Sequence, residues 1–438
     1  MTKYLIKGGK PLKGAVRIGG AKNSSFKLMI ASLLGEGESR LLDISRIGDV
    51  DITKKVIESL GGQVESPGKG TIFINPDKIK DFCVPQDFGY KSRASIMFAG
   101  PLLARFGKAY LPLPGGDQIG KRPVDRHLEG LKALGVKIKE VDGFIQLECS
   151  QLKGGKFRFS KNTHTGTETL IMASVLAKGT TILENAALEI EIDDLIDFLN
   201  KMGAKIKRFP GRVIKIEGVK RLKGTIHKAM PDRNEAVSYA CAALATKGDI
   251  IIENCKAEHL KSFLEKVKEA GGCFETDHYG LHFWYKKPLK ATKIITRPHP
   301  GFMTDWQALW TTLMTQAEGK SEVIETIYEY RFGFVPNLIK MGAKIKLFNP
   351  QIKNPDQFYN FNLSDDKEGN YHGAYIFGPA SLKGADLEVT DVRSGATLML
   401  AALIAQGQSV LLDDGHIQRG YEDLDLRLRE LGAEIRRE

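Results

Sequence analysis

The stretch RVIKIEGVKRLKG, Arg212 to Gly224, holds the two signals that decide the fold: an alternating apolar strand and then the tripeptide Leu222-Lys223-Gly224. The tripeptide pattern, Leu or Ile then Lys then a mostly small residue, returns at Leu12-Lys13-Gly14, Ile79-Lys80-Asp81, Leu152-Lys153-Gly154, Leu289-Lys290-Ala291 and Leu382-Lys383-Gly384. Successive first residues lie 67, 73, 70, 67 and 93 apart. A second marker, a helix end followed by glycine, falls at Gly61, Gly135, Gly203, Gly271, Gly342 and Gly432, at intervals of 74, 68, 68, 71 and 90. Two independent markers with one period define an internal repeat, here six copies of a unit of about 70 residues.

The same order of elements reads out of every copy. Before the tripeptide stands an alternating run, such as TIFIN, FIQLE, LHFWY or AYIFG, which reads as a strand entering a hairpin. A second strand follows, then a helix rich in Ala, Leu and Met, expected at 24–34, 93–103, 168–177, 235–245, 305–317 and 394–405, each stopping close to a glycine. A third strand, an amphipathic helix ending at the second marker and a last strand complete the unit, so the chain is of the α/β class. One such unit buries too little surface to stand alone. We therefore expect two lobes: 22–229 with repeats 1–3 and a Gly-rich lid at 113–122, and 1–21 plus 230–438 with repeats 4–6. A ligand is expected in the cleft between them. The last tripeptide interval exceeds the mean of the others by about 24 residues, which places a polar insertion at 349–373.

Composition narrows the partners. The 438 residues are 42% hydrophobic and 27% charged, a globular composition that excludes disordered and fibrous chains. No apolar run approaches the ~20 residues that span a bilayer, and the start MTKYLIKGGK lacks an apolar signal core. A soluble cytoplasmic protein without a membrane partner is expected. Cys83, Cys149, Cys241, Cys255 and Cys273 are widely spaced, with no C-x-x-C and no His at ligand spacing, so neither a disulfide framework nor a metal site is expected. The 64 Lys and Arg exceed the 53 Asp and Glu by eleven. That surplus fits nucleic acid, an anionic surface or acidic small substrates. Because the cations are spread through all units without a basic block, nucleic acid is the poorest of the three.

Polar residues gather where each first helix begins: Lys22-Asn23, Lys91 and Arg93, Gly166 to Glu168, Asp232-Arg233, Thr304-Asp305, and Asp391 with Arg393. Asp and Thr there are ordinary N-caps. Lys22, Arg93 and Arg393 oppose the helix dipole, and an anionic ligand at the exposed N–H groups supplies the reason for them. The segment Gly115-Gly116-Asp117-Gln118-Ile119-Gly120-Lys121-Arg122-Pro123-Val124-Asp125-Arg126-His127 reads either as a turn or as a lid delivering Arg122, Asp125 and His127. In Arg297-Pro298-His299-Pro300 the prolines fix the approach to Asp305. Glu329-Tyr330-Arg331 and Arg419-Gly420-Tyr421-Glu422 add two further arginines.

Together these motifs resemble the enolpyruvyl transferase family along essentially the whole chain. They are Gly19-Gly20-Ala21-Lys22-Asn23, Arg93-Ala94-Ser95, Gly115-Gly116 through Asp125, Glu184-Asn185-Ala186-Ala187, Pro231-Asp232-Arg233, Pro298-His299-Pro300 with Thr304-Asp305, Glu329 with Arg331-Phe332, Thr390-Asp391 with Arg393, and Arg419-Gly420-Tyr421-Glu422. The resemblance implies a two-lobed inside-out α/β barrel. It also implies transfer of the enolpyruvyl group of phosphoenolpyruvate to the 3′-hydroxyl of UDP-N-acetylglucosamine with release of phosphate, the first committed step of peptidoglycan precursor synthesis, without metal or cofactor. By the same resemblance Lys22, Arg93, Arg122, Arg331, Arg393 and Arg419 hold phosphoenolpyruvate. Asp305, Asp117, Lys22 and Arg419 are catalytic. Asn23, Arg93, Arg122, Asp125, His127, Thr165, Gly166, Asp305 and Ile327 line the UDP-sugar site. The sister reaction on shikimate 3-phosphate fits the first helix and lid less well. A different acceptor or a silent paralogue are the alternatives. Asp117 stands where most members carry Cys, which implies a carboxylic acid as proton donor and indifference to fosfomycin. Asn162, His164 and Leu188 replace residues common near the nucleotide in relatives.

Overall fold

The computed structural model describes residues 1–115 and 119–438. They form two compact units, one of residues 20–115 and 123–230, the other of 1–19, 119–122 and 231–438. The loop expected as a lid of the first lobe is thus divided, its residues 119–122 packing with the second unit.

The opening stretch folds as its alternation demands. In the strand Val213–Glu217, Ile214 and Ile216 are fully buried while Val213, Lys215 and Glu217 are not. Ile216 pairs with Ile206 and Ile214 with Leu183, so the sheet presents one apolar face to the core. The following tripeptide is not a hairpin, contrary to expectation. After Leu222-Lys223-Gly224 the strand Ile226–Lys228 runs parallel to Ser39–Leu42 in a different sheet. Gly224 is required at the crossing, because a Cβ there would lie 2.1 Å from the Glu38 carbonyl oxygen. Asp386–Glu388 beside Gln408–Asp413 and Lys293–Ile295 beside Gly319–Ile324 repeat the parallel join after their own tripeptides. Parallel neighbours need a crossover connection; it lies within one repeat for Lys293–Ile295 and Asp386–Glu388, whereas Ile226–Lys228 joins a sheet formed by residues 39–75 near the start of the chain. Thr2–Lys7 pairs with Gln408–Asp413 and Glu434–Arg437, and Lys13–Arg17 lies parallel to Asp249–Glu253, which ties the first nineteen residues to repeats 4–6.

The second marker fares as read. Gly61, Gly135, Gly203, Gly271, Gly342 and Gly432 have φ of 100°, 89°, 108°, 76°, 101° and 97°, the left-handed region that closes a helix and that glycine enters without a Cβ clash.

Within each unit the first helices of the repeats pack on one another as the core. In the second unit these are Arg233–Ala245, Thr304–Met314 and Val392–Ile404. Arg233–Ala245 is buried at every residue, which its run of small and apolar side chains (Val237, Ala240, Cys241, Ala242, Ala243, Leu244) permits. Trp306 and Trp310 fill the space around Phe263, with ring centroids 5.9 and 5.7 Å away. In the first unit the core helices are Lys22–Ser32, Ala99–Phe106 and His164–Ser174. The helix expected at 93–103 is split into a 3₁₀ turn, Arg93–Phe98, and the α-helix from Ala99. Pro101 has no N–H to give the Met97 carbonyl, so an α ladder cannot run through. Among the described residues no helix is long and apolar enough to cross a membrane, and no group of His, Cys, Asp and Glu is arranged to hold a metal.

Candidate active site

In the second unit three helix starts meet. Asp232 caps its helix by accepting from the Asn234 and Glu235 N–H groups at 2.7 and 3.1 Å. Asp391 caps another, accepting from Arg393 and Ser394 N–H while the Ser394 hydroxyl accepts from Asp391 N–H. Asp305, weighed as a cap from the sequence, caps nothing. It is the second residue of its helix, and its Oδ1 accepts from Arg393 Nε at 2.8 Å with Arg331 Nη2 at 3.9 Å. Arg331 Nη1 is also 3.8 Å from Asp391. Burial works to raise the Asp305 carboxyl, but Arg393, then Arg331 and Arg233, outweigh it and hold it well below the usual carboxylate range. Asp305 is therefore ionised, with a quarter (25%) of its side-chain surface open.

Buried neighbours fix this cluster. Glu325 takes the Thr304 hydroxyl at 3.0 Å and the Ile327 and Tyr328 N–H groups at 2.7 and 3.2 Å. Thr304 Oγ1 in turn accepts from Arg331 Nε at 3.3 Å. Burial raises the Glu325 pKa against the pull of Arg331 and those hydrogen bonds. Tyr421 Oη lies 3.4 Å from Arg393 Nη1 and 3.1 Å from Ser238 Oγ. Arg419, two residues earlier, is half-buried in the short helix His416–Gly420, which packs on Val392–Ile404. Arg233 Nη1 donates to His299 Nδ1 at 3.0 Å, and its guanidinium lies 5.9 Å from the Trp306 ring. Beneath them Glu235 takes Arg427 at 2.5 Å and the Gly19 N–H at 3.1 Å, and burial pushes it up to about 7 despite Arg427. Arg122, in the left-handed region with φ 49°, sits 5.7 Å from the Tyr328 ring. Ile327 stands on the same loop.

In the first unit Lys22 opens its helix, is buried, forms a close ion pair with Asp49 and lies 5.5 Å from the Phe26 ring. Asn23 follows in the same turn. Arg93 opens the 3₁₀ turn and donates from Nη2 to the Pro123 carbonyl at 2.7 Å. Asp125 begins the helix Asp125–Ala133 and accepts from the Arg126 N–H at 2.9 Å. His127 is buried with Nε2 2.9 Å from Thr165 Oγ1, and burial, then Arg93 and Arg126, hold it down to about 3, so it is neutral. Gly166 N–H donates to the Thr163 hydroxyl that caps the His164–Ser174 helix. Of the three altered positions, His164 has Nε2 2.9 Å from Lys27 Nζ and 3.2 Å from Glu168. Asn162 Nδ2 donates to the Asn185 carbonyl at 3.2 Å. Leu188 is half-buried, three residues after Asn185.

The structure thus brings Asp305, Arg331 and Arg393 into direct contact, with Arg419 on the helix His416–Gly420, Arg122 against Tyr328, and Ile327 beside Tyr328 in the same unit. A second group, Lys22, Asn23, Arg93, Asp125, His127, Thr165 and Gly166, occupies helix starts of the other. Asp117 lies outside the described residues. Asp49 and Glu325 were missed from the sequence. Asp49 looks like an acid favoured at any helix start, and Glu325 like the end of a strand.

The chain matches the family described as EPSP synthase (3-phosphoshikimate 1-carboxyvinyltransferase) over residues 6–428. It is 40% identical over 437 residues to the UDP-N-acetylglucosamine 1-carboxyvinyltransferase of Halothermothrix orenii, covering 100% of both chains. It is 42% identical over 438 residues to the protein of that name from Thermodesulfovibrio yellowstonii, again covering 100% of both. Among solved structures it resembles the enolpyruvyl transferase NikO from Streptomyces tendae, with a TM-score of 0.87 and 22% identity over 100% of this chain and 98% of that one. It also resembles EPSP synthase from Acinetobacter baumannii, with a TM-score of 0.74 and 16% identity over the full length of both. The two structural likenesses concern the fold.

Proposed function

The chain belongs to the EPSP synthase family, and from that premise we propose that it transfers the enolpyruvyl group of phosphoenolpyruvate to the 3′-hydroxyl of UDP-N-acetylglucosamine, releasing inorganic phosphate. The observation that carries the choice of acceptor is full-length similarity, at 40 and 42% identity, to proteins named for that reaction. Its place is the first committed step of peptidoglycan precursor synthesis.

The chemistry is addition and then elimination. A proton is delivered to C3 of phosphoenolpyruvate while the sugar oxygen bonds to C2 and its own proton leaves to a base. The tetrahedral adduct then loses a C3 proton and the C2–O bond to phosphate. Charge must be held on a carboxylate and a phosphate throughout, which is work for fixed cations. We assign that work to Arg331, Arg393, Arg419 and Arg122 with Lys22 and Arg93, the base to Asp305 and the acid to Asp117. Asn23, Asp125, neutral His127, Thr165, Gly166 and Ile327, with Arg93, Arg122 and Asp305, are assigned to the UDP-sugar.

The Arg393–Asp305 contact gives the assignment a physical logic. Before substrate arrives, Arg393 and Arg331 neutralise Asp305 and make it a poor base. An incoming carboxylate or phosphate competes for the same guanidinium groups, and as it takes them the Asp305 carboxylate loses its counter-charge and gains basicity. The two effects are linked reciprocally.

Both partners are small phosphorylated molecules, and neither a nucleic acid nor a membrane is assigned. We place the protein in the cytoplasm, where thiols stay reduced, as suits its free cysteines. The test is phosphate release from phosphoenolpyruvate with UDP-N-acetylglucosamine and, separately, with shikimate 3-phosphate. Release with the first alone is expected. Release only with the second, or with neither, overturns the reading.

A further inference from the structure

Residues 349–373 are the excess of the sixth repeat, and no side chain among them is used by the reaction as drawn. They nevertheless fold tightly against the unit that carries Asp305. Tyr359 and Phe361 are buried, their ring centroids 4.8 Å apart, and His372 packs 5.0 and 5.2 Å from them. His372 Nε2 is 2.8 Å from Asp366 Oδ2. Arg297 Nη1 donates to the Phe358 carbonyl at 2.6 Å and its guanidinium lies 4.3 Å from the Phe358 ring. Asn360 N–H donates to the Thr326 carbonyl at 2.7 Å, next to Ile327.

From this base the insertion reaches the segment 119–122. Lys121 Nζ donates to Asp365 Oδ1 at 2.8 Å, and the two side chains contrast: Lys121 is 69% exposed and Asp365 only 5%. Burying a carboxylate costs free energy unless a cation or donors compensate it. Its compensation here is Asn362 Nδ2 at 3.3 Å and a lysine of the Gly-rich loop. The same four residues are held from the other side. Tyr330 N–H donates to the Ile119 carbonyl at 3.1 Å, and the Glu329 carboxylate accepts from the Lys121 N–H. Gly120 lies so close that a Cβ would stand 2.0 Å from Glu329 Oε2, and Arg122 covers Tyr328 at 5.7 Å. Asp365 and Asp366 also act on the Glu329 carboxylate electrostatically, so the insertion and both loops share one charge environment.

We propose that Asp365 is a positioning residue: through Lys121 it fixes the 119–122 segment and so presets the guanidinium of Arg122 for the anionic substrate. The inference rests on the assignment of Arg122 to substrate binding. An arm already ordered in the free protein spares substrate the entropy of ordering it, so the effect belongs in KM.

Asp365→Asn is expected to raise KM for phosphoenolpyruvate about three- to tenfold, the range of a hydrogen-bonded charge pair, with kcat changed less than about twofold. Lys121→Met tests the pair from its exposed side, should Asp365→Asn fail to fold, and is expected to do the same. Asp365→Glu is expected to recover most of the loss, and Glu368→Gln, an exposed acid of the same insertion, to change nothing. A readout independent of turnover is tryptic cleavage between Lys121 and Arg122, expected to quicken severalfold in Asp365→Asn. Unchanged KM and unchanged cleavage, or a fall in kcat at constant KM, overturns the proposal. If Arg122→Ala leaves KM untouched, the assignment of Arg122 has failed instead, and the cleavage rate still decides whether Asp365 holds the segment.

Discussion

Replacing Asp305 by Asn should make phosphoenolpyruvate bind more tightly while turnover disappears. In the resting site Arg393 Nε gives its hydrogen bond to Asp305 at 2.8 Å and Arg331 stands 3.9 Å away. Two unit charges about 4 Å apart attract by about 4 kcal/mol at an effective dielectric constant of ~20, and an anionic substrate must displace part of that attraction. Asn keeps an acceptor oxygen in place but removes the charge. If a third to a half of the attraction passes to the substrate, affinity rises about ten- to thirtyfold, since each 1.4 kcal/mol is about tenfold. The assay is calorimetric titration of phosphoenolpyruvate into the protein without the sugar nucleotide, so that no turnover occurs, wild type against Asp305→Asn. Loss of the base should cost turnover at least about a hundredfold. The variant also leaves two guanidinium groups without their shared counter-charge, so its melting temperature should fall without ligand and recover when phosphoenolpyruvate is added. Equal or weaker binding by Asp305→Asn would refute the idea that substrate and Asp305 compete for Arg393.

Three more outcomes follow from single residues. His127 is held down to about 3 against an ordinary 6.5, so below 6.5 the unfolded chain takes up a proton that the fold refuses. Its stabilising contribution is complete above that value and falls by about 2 kcal/mol on reaching pH 5. Urea unfolding at pH 8 and 5 should show wild type losing that much more than His127→Gln, and a pH-independent gap would contradict it. Gly120 has φ 143° and no room beside Glu329, so Gly120→Ala should cost about 1–3 kcal/mol or displace Arg122; a variant with wild-type KM and melting temperature would show that neither restraint matters. Asp117 offers no thiol, so turnover should survive fosfomycin while Asp117→Cys becomes sensitive, and inhibition of the unaltered protein would sink this reading.

How much of this was legible depended on range. The glycine markers were readable because a helix that ends in the left-handed region needs glycine whatever surrounds it, and all six have positive φ. Lys22 and Arg393 stood out because a cation at a helix start opposes the dipole. Their partners did not stand out. Lys22 meets Asp49 and Arg393 meets Asp305, 27 and 88 residues away in sequence, and no local pattern encodes such a pairing. For the same reason the tripeptides were misread as hairpins. An alternating strand reveals which face is buried but not which strand lies beside it: Ile226–Lys228 pairs with Ser39–Leu42, almost two hundred residues earlier. Asp305 shows the limit most clearly: an acid in the first turn of a helix has the same local signature whether it caps the backbone or answers two arginines.

The most direct test of the whole account is the reaction run in heavy water, with phosphoenolpyruvate and UDP-N-acetylglucosamine, followed by mass spectrometry of the sugar product. Addition and elimination should give the enolpyruvyl ether of UDP-N-acetylglucosamine, phosphate in equal amount, and deuterium in the vinyl CH2 group derived from C3. Phosphate released with pyruvate in place of the ether, or an ether free of deuterium, would contradict it.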